Sequence, residues 1–376
     1  MKIAQITAHE VIVPAKAGTI DSAGINKALH KLPVGAKGGW SVQFDQLPKI
    51  ILKMELDDGI IAWGELYRGH NWQVVEEIAQ SLVGRSLKEF SLQRLPFTYC
   101  REYDGFECAI WDAWAKSHNM RLVDILGGPI REQVRVGAWS SHRDKEEIGD
   151  LARTFAQRGF DCVKFKTDLS DDVAFWCAEI QRVAPEMEVI LDPNERWLYP
   201  GEARKRIDAL AEVGNVLCLE DPLPRWKLNE YALLRTYGSV PIALHVSLPY
   251  ILHGQRVKDA IQALEAQAVD GFNFNGGLAR FQQLAHIAEA AGLPFWHGSE
   301  VDLGILEAMY VHQSAAAVNC VWPGDIFGRL IREHDLLKAP LDIQPPYVNL
   351  PQGPGIGVEP DEAAIRNYEV QKRQWR

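Results

Sequence analysis

The chain has 376 residues, 47% of them hydrophobic and 24% charged, with a formal net charge of −10. This is the composition of a globular protein large enough for one big domain and a smaller one, and the acidic balance argues against nucleic acid as its main partner. No apolar run approaches the roughly 18 residues that cross a bilayer, so no membrane-spanning segment is expected. The six cysteines, Cys100, Cys108, Cys162, Cys177, Cys218 and Cys320, form no Cys-x-x-Cys and no zinc-like spacing. With no targeting signal they read as buried thiols of a reducing compartment, and a cytoplasmic location is expected.

The pattern opens with a strand over 2–14 and a hairpin over 50–67, whose turn is Asp57-Asp58-Gly59. Between them, residues 15–48 are glycine-rich, show little periodicity and include Lys37-Gly38-Gly39-Trp40. A loop of this length is functional or lacks fixed structure. One reading is a mobile lid with Trp40 as a substrate wall; the other is a plain flexible loop. Helical periodicity follows at 72–84, 88–96 and 103–118, and Leu126-Gly127-Gly128-Pro129 punctuates the end. Residues 1–130 thus read as an α+β unit with too few strands to bury a large core alone.

From residue 133 the pattern alternates. Strands are expected at 134–140, 162–167, 188–193, 216–221, 241–246, 271–275, 294–298 and 318–322. Helices are expected at 145–158, 172–184, 201–213, 278–292 and 304–316. Strand–helix alternation implies a parallel sheet, and eight repeats in roughly 200 residues suggest a closed (β/α)8 barrel over 131–345. Sites on such barrels lie at the carboxyl ends of the strands.

The second of these strands carries Lys164 and Lys166 on one face. Paired ammonium groups repel, and burial worsens this. A solvated edge strand is the plain reading. A site that moves protons beside an anion is the other, because the second cation lowers the pKa of the first. The next three strands end with Asp192, Glu220 and His245. Two carboxylates with no cation between them repel, so a divalent metal is their natural partner. Each acid taken singly also suits a helix cap or an ion pair. Asn273 and Asn275 share a face at the sixth strand end, where they can hydrogen-bond a substrate. His297 ends the seventh, followed by Glu300 and Asp302. Tyr103, Trp139, Trp296, Trp322 and Asp325 are further lining candidates.

Over nearly its whole length the sequence resembles the enolase superfamily, in its mandelate racemase and muconate-lactonising branch. The resemblance is carried by Ala109-Ile110-Trp111-Asp112-Ala113-Trp114, Asp124-Ile125-Leu126-Gly127-Gly128, Lys164-Phe165-Lys166, Asp192 with Asn194, Glu220-Asp221-Pro222 and residues 350–358. It implies an α/β fold: an α+β capping domain over 1–130 with a lid at 15–48, a (β/α)8 TIM-type barrel, and a segment 346–376 returning to the capping domain. It also implies a Mg2+ ion held by Asp192, Glu220 and the residue at the fifth strand end. The metal stabilises the enediolate formed when a lysine or histidine removes the proton alpha to a carboxylate. By resemblance Lys166 is the base and Lys164 binds the carboxylate.

Three departures qualify this. The family has an acid at the fifth strand end, and here the chain reads His245-Val246. Imidazole suits Mn2+, Zn2+ or another transition metal better than Mg2+. The sixth strand should end in a lysine or aspartate and ends in Asn275, which cannot act as a base. The acid expected after the seventh strand appears as Asp302. The expectation is therefore a lyase dehydrating a hydroxylated or sugar acid, with His297 as general acid and Asn194, Asn273, Asn275, Trp40 and Asp302 around the substrate. A cycloisomerase or epimerase, and a catalytically silent relative, are the alternatives. The expected partner is a small-molecule carboxylate, with no nucleic acid and no membrane, and the chain is expected to form a homo-oligomer.

Overall fold

The structure, a computed structural model, describes residues 1–22, 47–248 and 256–376. Trp40 and most of the expected lid lie outside the described residues. The amino-terminal unit is an antiparallel sheet of β1 (Ile3–Ile12), β2 (Pro48–Leu56) and β3 (Ile61–Leu66). It is covered by α1 (Trp72–Leu82) and α2 (Tyr103–Ser117), with a short α3 (Leu122–Ile125) beyond. Alternation along the strands buries Ile6, Ala8, Ile50, Leu52, Met54 and Leu66 against Phe106, Ala109 and Ile110 of α2. The approach is close enough to demand glycine: a Cβ on Gly64 would lie 2.2 Å from the Gly105 carbonyl oxygen.

The helix expected at 88–96 is reduced to one turn, Leu87–Glu89, capped reciprocally by Ser86 and Glu89. Pro96 disfavours helical backbone at Leu95, which is instead buried against the sheet. Tyr103 packs in this same core, and its hydroxyl accepts from Leu95 N at 2.9 Å, so it does not line the site.

The first barrel strand is split. β4 (Gln133–Arg135) leaves the barrel, and only β5 (Ala138–Ser140) joins it. Six parallel strands follow: β6 (Cys162–Lys166), β7 (Glu188–Asp192), β8 (Val216–Glu220), β9 (Ile242–Ser247), β10 (Gly271–Asn275) and β11 (Phe295–His297). The helices around them are α4 (Ile148–Gln157), α5 (Val173–Val183), α6 (Pro200–Val213), α7 (Leu228–Tyr237), α8 (Val257–Glu265), α9 (Leu278–Ala291) and α10 (Gly304–Ala316). The strand expected at 318–322 is not a strand. Pro323 has no N–H to give a ladder. Instead, Trp322 N donates to Phe295 O at 3.2 Å, Asp325 N to His297 O at 2.9 Å and Gly324 N to Arg135 O at 2.9 Å. This irregular segment closes the barrel between its last and first staves.

A short α11 (Gly328–Ile331) leads to the hairpin β12 (Ile343–Gln344) and β13 (Tyr347–Asn349), which pairs with β4. The chain ends with α12 (Glu362–Tyr368) and β14 (Glu369–Trp375), and β14 pairs antiparallel with β1 of the amino-terminal sheet. Among the described residues no helix is long and apolar enough to cross a membrane.

Strand alternation separates two populations in the barrel. Val163, Phe165, Val189, Leu191, Leu219, Leu244, Phe272, Phe274 and Phe295 turn outward into the core beneath the helices. Cys162, Ile190, Cys218, Ala243 and Trp296 turn inward and pack together, with Trp322 against them. Gly271 leaves room for the Trp322 ring, which a Cβ would meet at 2.5 Å. Both tryptophans therefore plug the barrel below the site.

Candidate active site

Above that plug, the inward positions at the carboxyl ends are polar. β6 presents Lys164 and Lys166, β7 Asp192, β8 Glu220, β9 His245, and the closing segment Asp325. Lys164 Nζ lies 2.6 Å from Glu220 Oε2, 2.8 Å from Asp325 Oδ2 and 3.6 Å from Asp192 Oδ2. Lys166 Nζ donates to Asp192 Oδ2. The two lysines differ in consequence. Burial pulls down the pKa of Lys164, but the charges of Asp325, Glu220 and Asp192 outweigh it and hold the ammonium well above the ordinary lysine value. Burial also lowers Lys166; Asp192 opposes the shift, Lys164 reinforces it, and the net pKa is below the ordinary value. Burial would raise Glu220, yet Lys164 and His245 draw it well below the usual carboxylate range. The lysine pair is thus not a solvated edge.

The amides at the sixth strand end orient other groups. Asn273 Nδ2 donates to Glu220 Oε1 at 2.7 Å, and Asn275 Nδ2 to Gly298 O at 2.7 Å. Asn275 Oδ1 faces His245 Nε2. Both amides lie within the barrel and position Glu220 and His245, where direct substrate contact had been expected. Asn194 holds left-handed backbone at φ 46°, its N–H donates to Asp192 Oδ1 at 2.9 Å, and its own Oδ1 is buried without a hydrogen bond. It lines the cavity that Lys164, Lys166, Glu220, His245 and Asp325 enclose. One wall of that cavity is apolar: Trp139 stacks on Phe327 with centroids 4.9 Å apart, beside Val301. Arg68, following β3 of the amino-terminal unit, reaches the same cavity and donates to Glu300 O at 3.3 Å.

Two expectations are corrected. β10 and β11 pair Asn273 with Trp296, so Trp296 faces inward and His297 faces the helices. There His297 stacks on Tyr310 at 3.8 Å and Phe281 at 4.5 Å, and its Nε2 lies 3.0 Å from Gln313 Oε1. Burial pushes its pKa down to about 4. It is a core histidine with no route to the cavity. Asp302 is also removed from the substrate. It accepts from Lys49, from Tyr310 OH at 2.7 Å and from Glu300 N at 2.7 Å. Lys49 also pairs with Glu65 at 3.1 Å, so this buried node ties β2 and β3 to the barrel.

The donor set has the right residue types for a metal. Among the described residues, Glu220, Asp221 and His245 place ligand atoms within 4.8 Å of one another. Asp192 does not join that group, so the three expected ligands do not converge; Lys166 and Lys164 hold Asp192 instead. Asp221 is engaged through both oxygens, by His245 N at 2.9 Å and Arg225 Nε at 2.6 Å. What remains is one edge, Glu220 Oε1 and His245 Nδ1 at 3.2 Å. Two donors fall short of the three or more protein ligands usual at catalytic zinc or calcium sites, and the carboxylate oxygens of Asp192 and Glu220 that a smaller ion such as Mg2+ needs face the ammonium groups of Lys164 and Lys166. As arranged, these residues do not fit a divalent cation.

Comparison with known proteins agrees with this architecture. Residues 147–364 match the family model described as enolase C-terminal domain-like. A muconate cycloisomerase from Acinetobacter lwoffii is 30% identical over 274 residues, covering 70% of this chain and 69% of that protein. An N-succinyl-L-Arg/Lys racemase from Bacillus cereus is 23% identical, covering 87% and 92%. The crystal structure of the N-succinyl Arg/Lys racemase from the same species superposes over 100% of both chains with a TM-score of 0.81 at 21% identity. A 2-chloromuconate cycloisomerase structure from Rhodococcus opacus gives 0.79 at 22% identity over 98% and 99%. Family members of this kind are enzymes that use a divalent metal. The chain belongs to the enolase superfamily, in its mandelate racemase and muconate-lactonising branch.

Proposed function

We propose that this protein removes the proton alpha to the carboxylate of a small substrate, with Lys166 as the base. The observation that carries the reading is the lysine pair at the cavity: Lys166, half-buried and depressed below an ordinary lysine, next to a Lys164 that stays charged. A base needs a free amine near working pH, and its neighbour's charge favours that form. Lys164 and Arg68 both line the cavity, so negative charge developing on the substrate carboxylate meets two cations. The proton transfers are made by this chain's own side chains, without Mg2+ or a transition metal such as Mn2+ or Zn2+.

The chemistry is one-sided. Opposite the lysines, β10 offers only amides and β11 turns His297 away. A racemase with a base on each face is therefore disfavoured. Loss of the α-proton and then of a β-substituent on the lysine side remains available, which for a hydroxylated or sugar acid is dehydration. The same sequence with a β-carboxylate as leaving group opens a lactone, and run backwards it closes one. The muconate cycloisomerase relative favours this cycloisomerase form as the second reading. The test is incubation in D2O with aldonates, aldarates, muconate and N-succinyl amino acids, read by proton NMR. Dehydration gives a 2-keto acid that carries solvent deuterium at the former β-carbon, where the enol takes up its proton; cycloisomerisation gives lactone deuterated at the α-carbon with no keto acid. Turnover of any of these with no solvent deuterium at either the α- or the β-carbon of the product contradicts both readings.

A further inference from the structure

We infer that the Lys164 ammonium occupies the cation position of this barrel and that the chain binds no divalent metal there. Nζ of Lys164 sits among the carboxylates of the third and fourth staves and the closing segment, 3.6 Å from Asp192, 2.6 Å from Glu220 and 2.8 Å from Asp325. A cation between acids is what strand ends of this kind require, and a lysine side chain supplies one covalently. One of its N–H groups donates to Asp325, Glu220 Oε2 lies at ion-pair distance without a hydrogen bond, and Asp192 is within reach of its charge.

The surrounding replacements point the same way. His245 stands where an acid would, which takes a negative charge out of the set. Its Nε2 faces Asn275 Oδ1, and that amide is oriented by the bond from Nδ2 to Gly298 O at 2.7 Å. Asp192 is drawn to Lys166. Asp325 is fixed by its own backbone, since its N–H donates to His297 O. That bond aims a third carboxylate at Lys164 from a stave with no regular strand. A dication entering here would meet two ammonium groups already paired with the acids it needs. Each replacement removes something a metal would use and adds something an ammonium uses.

Mn2+ alone is the probe, and its binding is read without turnover, so the outcome is independent of the proton-abstraction reading. The full-length protein is stripped with EDTA and titrated with Mn2+, with free ion followed by electron paramagnetic resonance. The wild type is expected to take up no stoichiometric Mn2+. Lys164→Met, which leaves Asp192, Glu220 and Asp325 without their ammonium, is expected to take up one equivalent per chain. One equivalent bound by the wild type overturns the inference. So does a folded Lys164→Met that binds none, because its ammonium would then not stand at a cation site. Should Lys164→Met fail to fold, the wild-type thermal midpoint decides: it is expected to be the same in EDTA and in Mn2+, and a rise with Mn2+ overturns the inference.

Discussion

Lys164 donates to Asp325 at 2.8 Å across the seam where the barrel closes, joining residues 161 positions apart. Asp325 lies in the segment that replaces an eighth strand, so the site and the closure of the barrel share one ion pair. Asp325→Asn leaves Lys164 with Glu220 as its firm partner. The expected cost is about 1–3 kcal/mol of unfolding free energy, the range for removing one partner of a buried polar pair that keeps another. Denaturant unfolding checks this, and a variant as stable as the parent contradicts it.

The pH profile should carry the lysine coupling. Lys166 lies below its ordinary value of about 10.4, so activity should rise with pH along a limb centred below that figure. The sign for stability follows. The unfolded chain holds the Lys166 proton up to a higher pH than the folded one, so folded stability grows as pH rises from the folded toward the unfolded value. Lys164→Met removes a charge that lowers Lys166, and the limb should move to higher pH. The comparison is of kcat/KM against pH in EDTA, and a limb that stays in place counts against the coupling.

Gly298 is predicted to be intolerant of alanine. A Cβ there would lie 2.2 Å from Asn273 Oδ1 and 2.4 Å from Asn275 Oδ1. Both amides would have to move, releasing Glu220 and His245. Gly298→Ala should cost about 1–3 kcal/mol through overpacking and should lower kcat with it. Thermal melts and steady-state kinetics on the same preparation check this.

His297→Asn should behave as a core variant. It loses the stack between Phe281 and Tyr310 and the contact with Gln313. A loss of about 1–3 kcal/mol is expected, with α-proton exchange and product formation changing in step. Loss of product with exchange preserved would return His297 to the role of general acid.

The barrel was legible because helical and strand periods alternate cleanly, and the strand ends were legible because Lys164, Lys166, Asp192 and Glu220 each follow an apolar run. What escaped depends on register and tertiary contact. Period two places Trp296 and His297 on opposite faces, but only the pairing of Asn273 with Trp296 decides which faces inward. Apolar residues at 318–322 read as a strand until Pro323 breaks the ladder, so Asp325, expected only to line the site, had no strand end to mark its pairing with Lys164. Arg68 comes from the other unit and has no local signal. Asp192 sits at the expected strand end, yet its oxygens are taken by Lys166 and by Asn194 N. No spacing rule encodes that choice.

The central claim is that Lys166 takes the α-proton. The most direct measurement is the rate at which solvent deuterium enters substrate or product in D2O, by proton NMR, for a substrate the wild type turns over, compared between wild type and Lys166→Ala. The account predicts that the variant stays folded and exchanges at least about 10²-fold more slowly, the lower range for loss of a general base. Exchange at the wild-type rate in Lys166→Ala would contradict it.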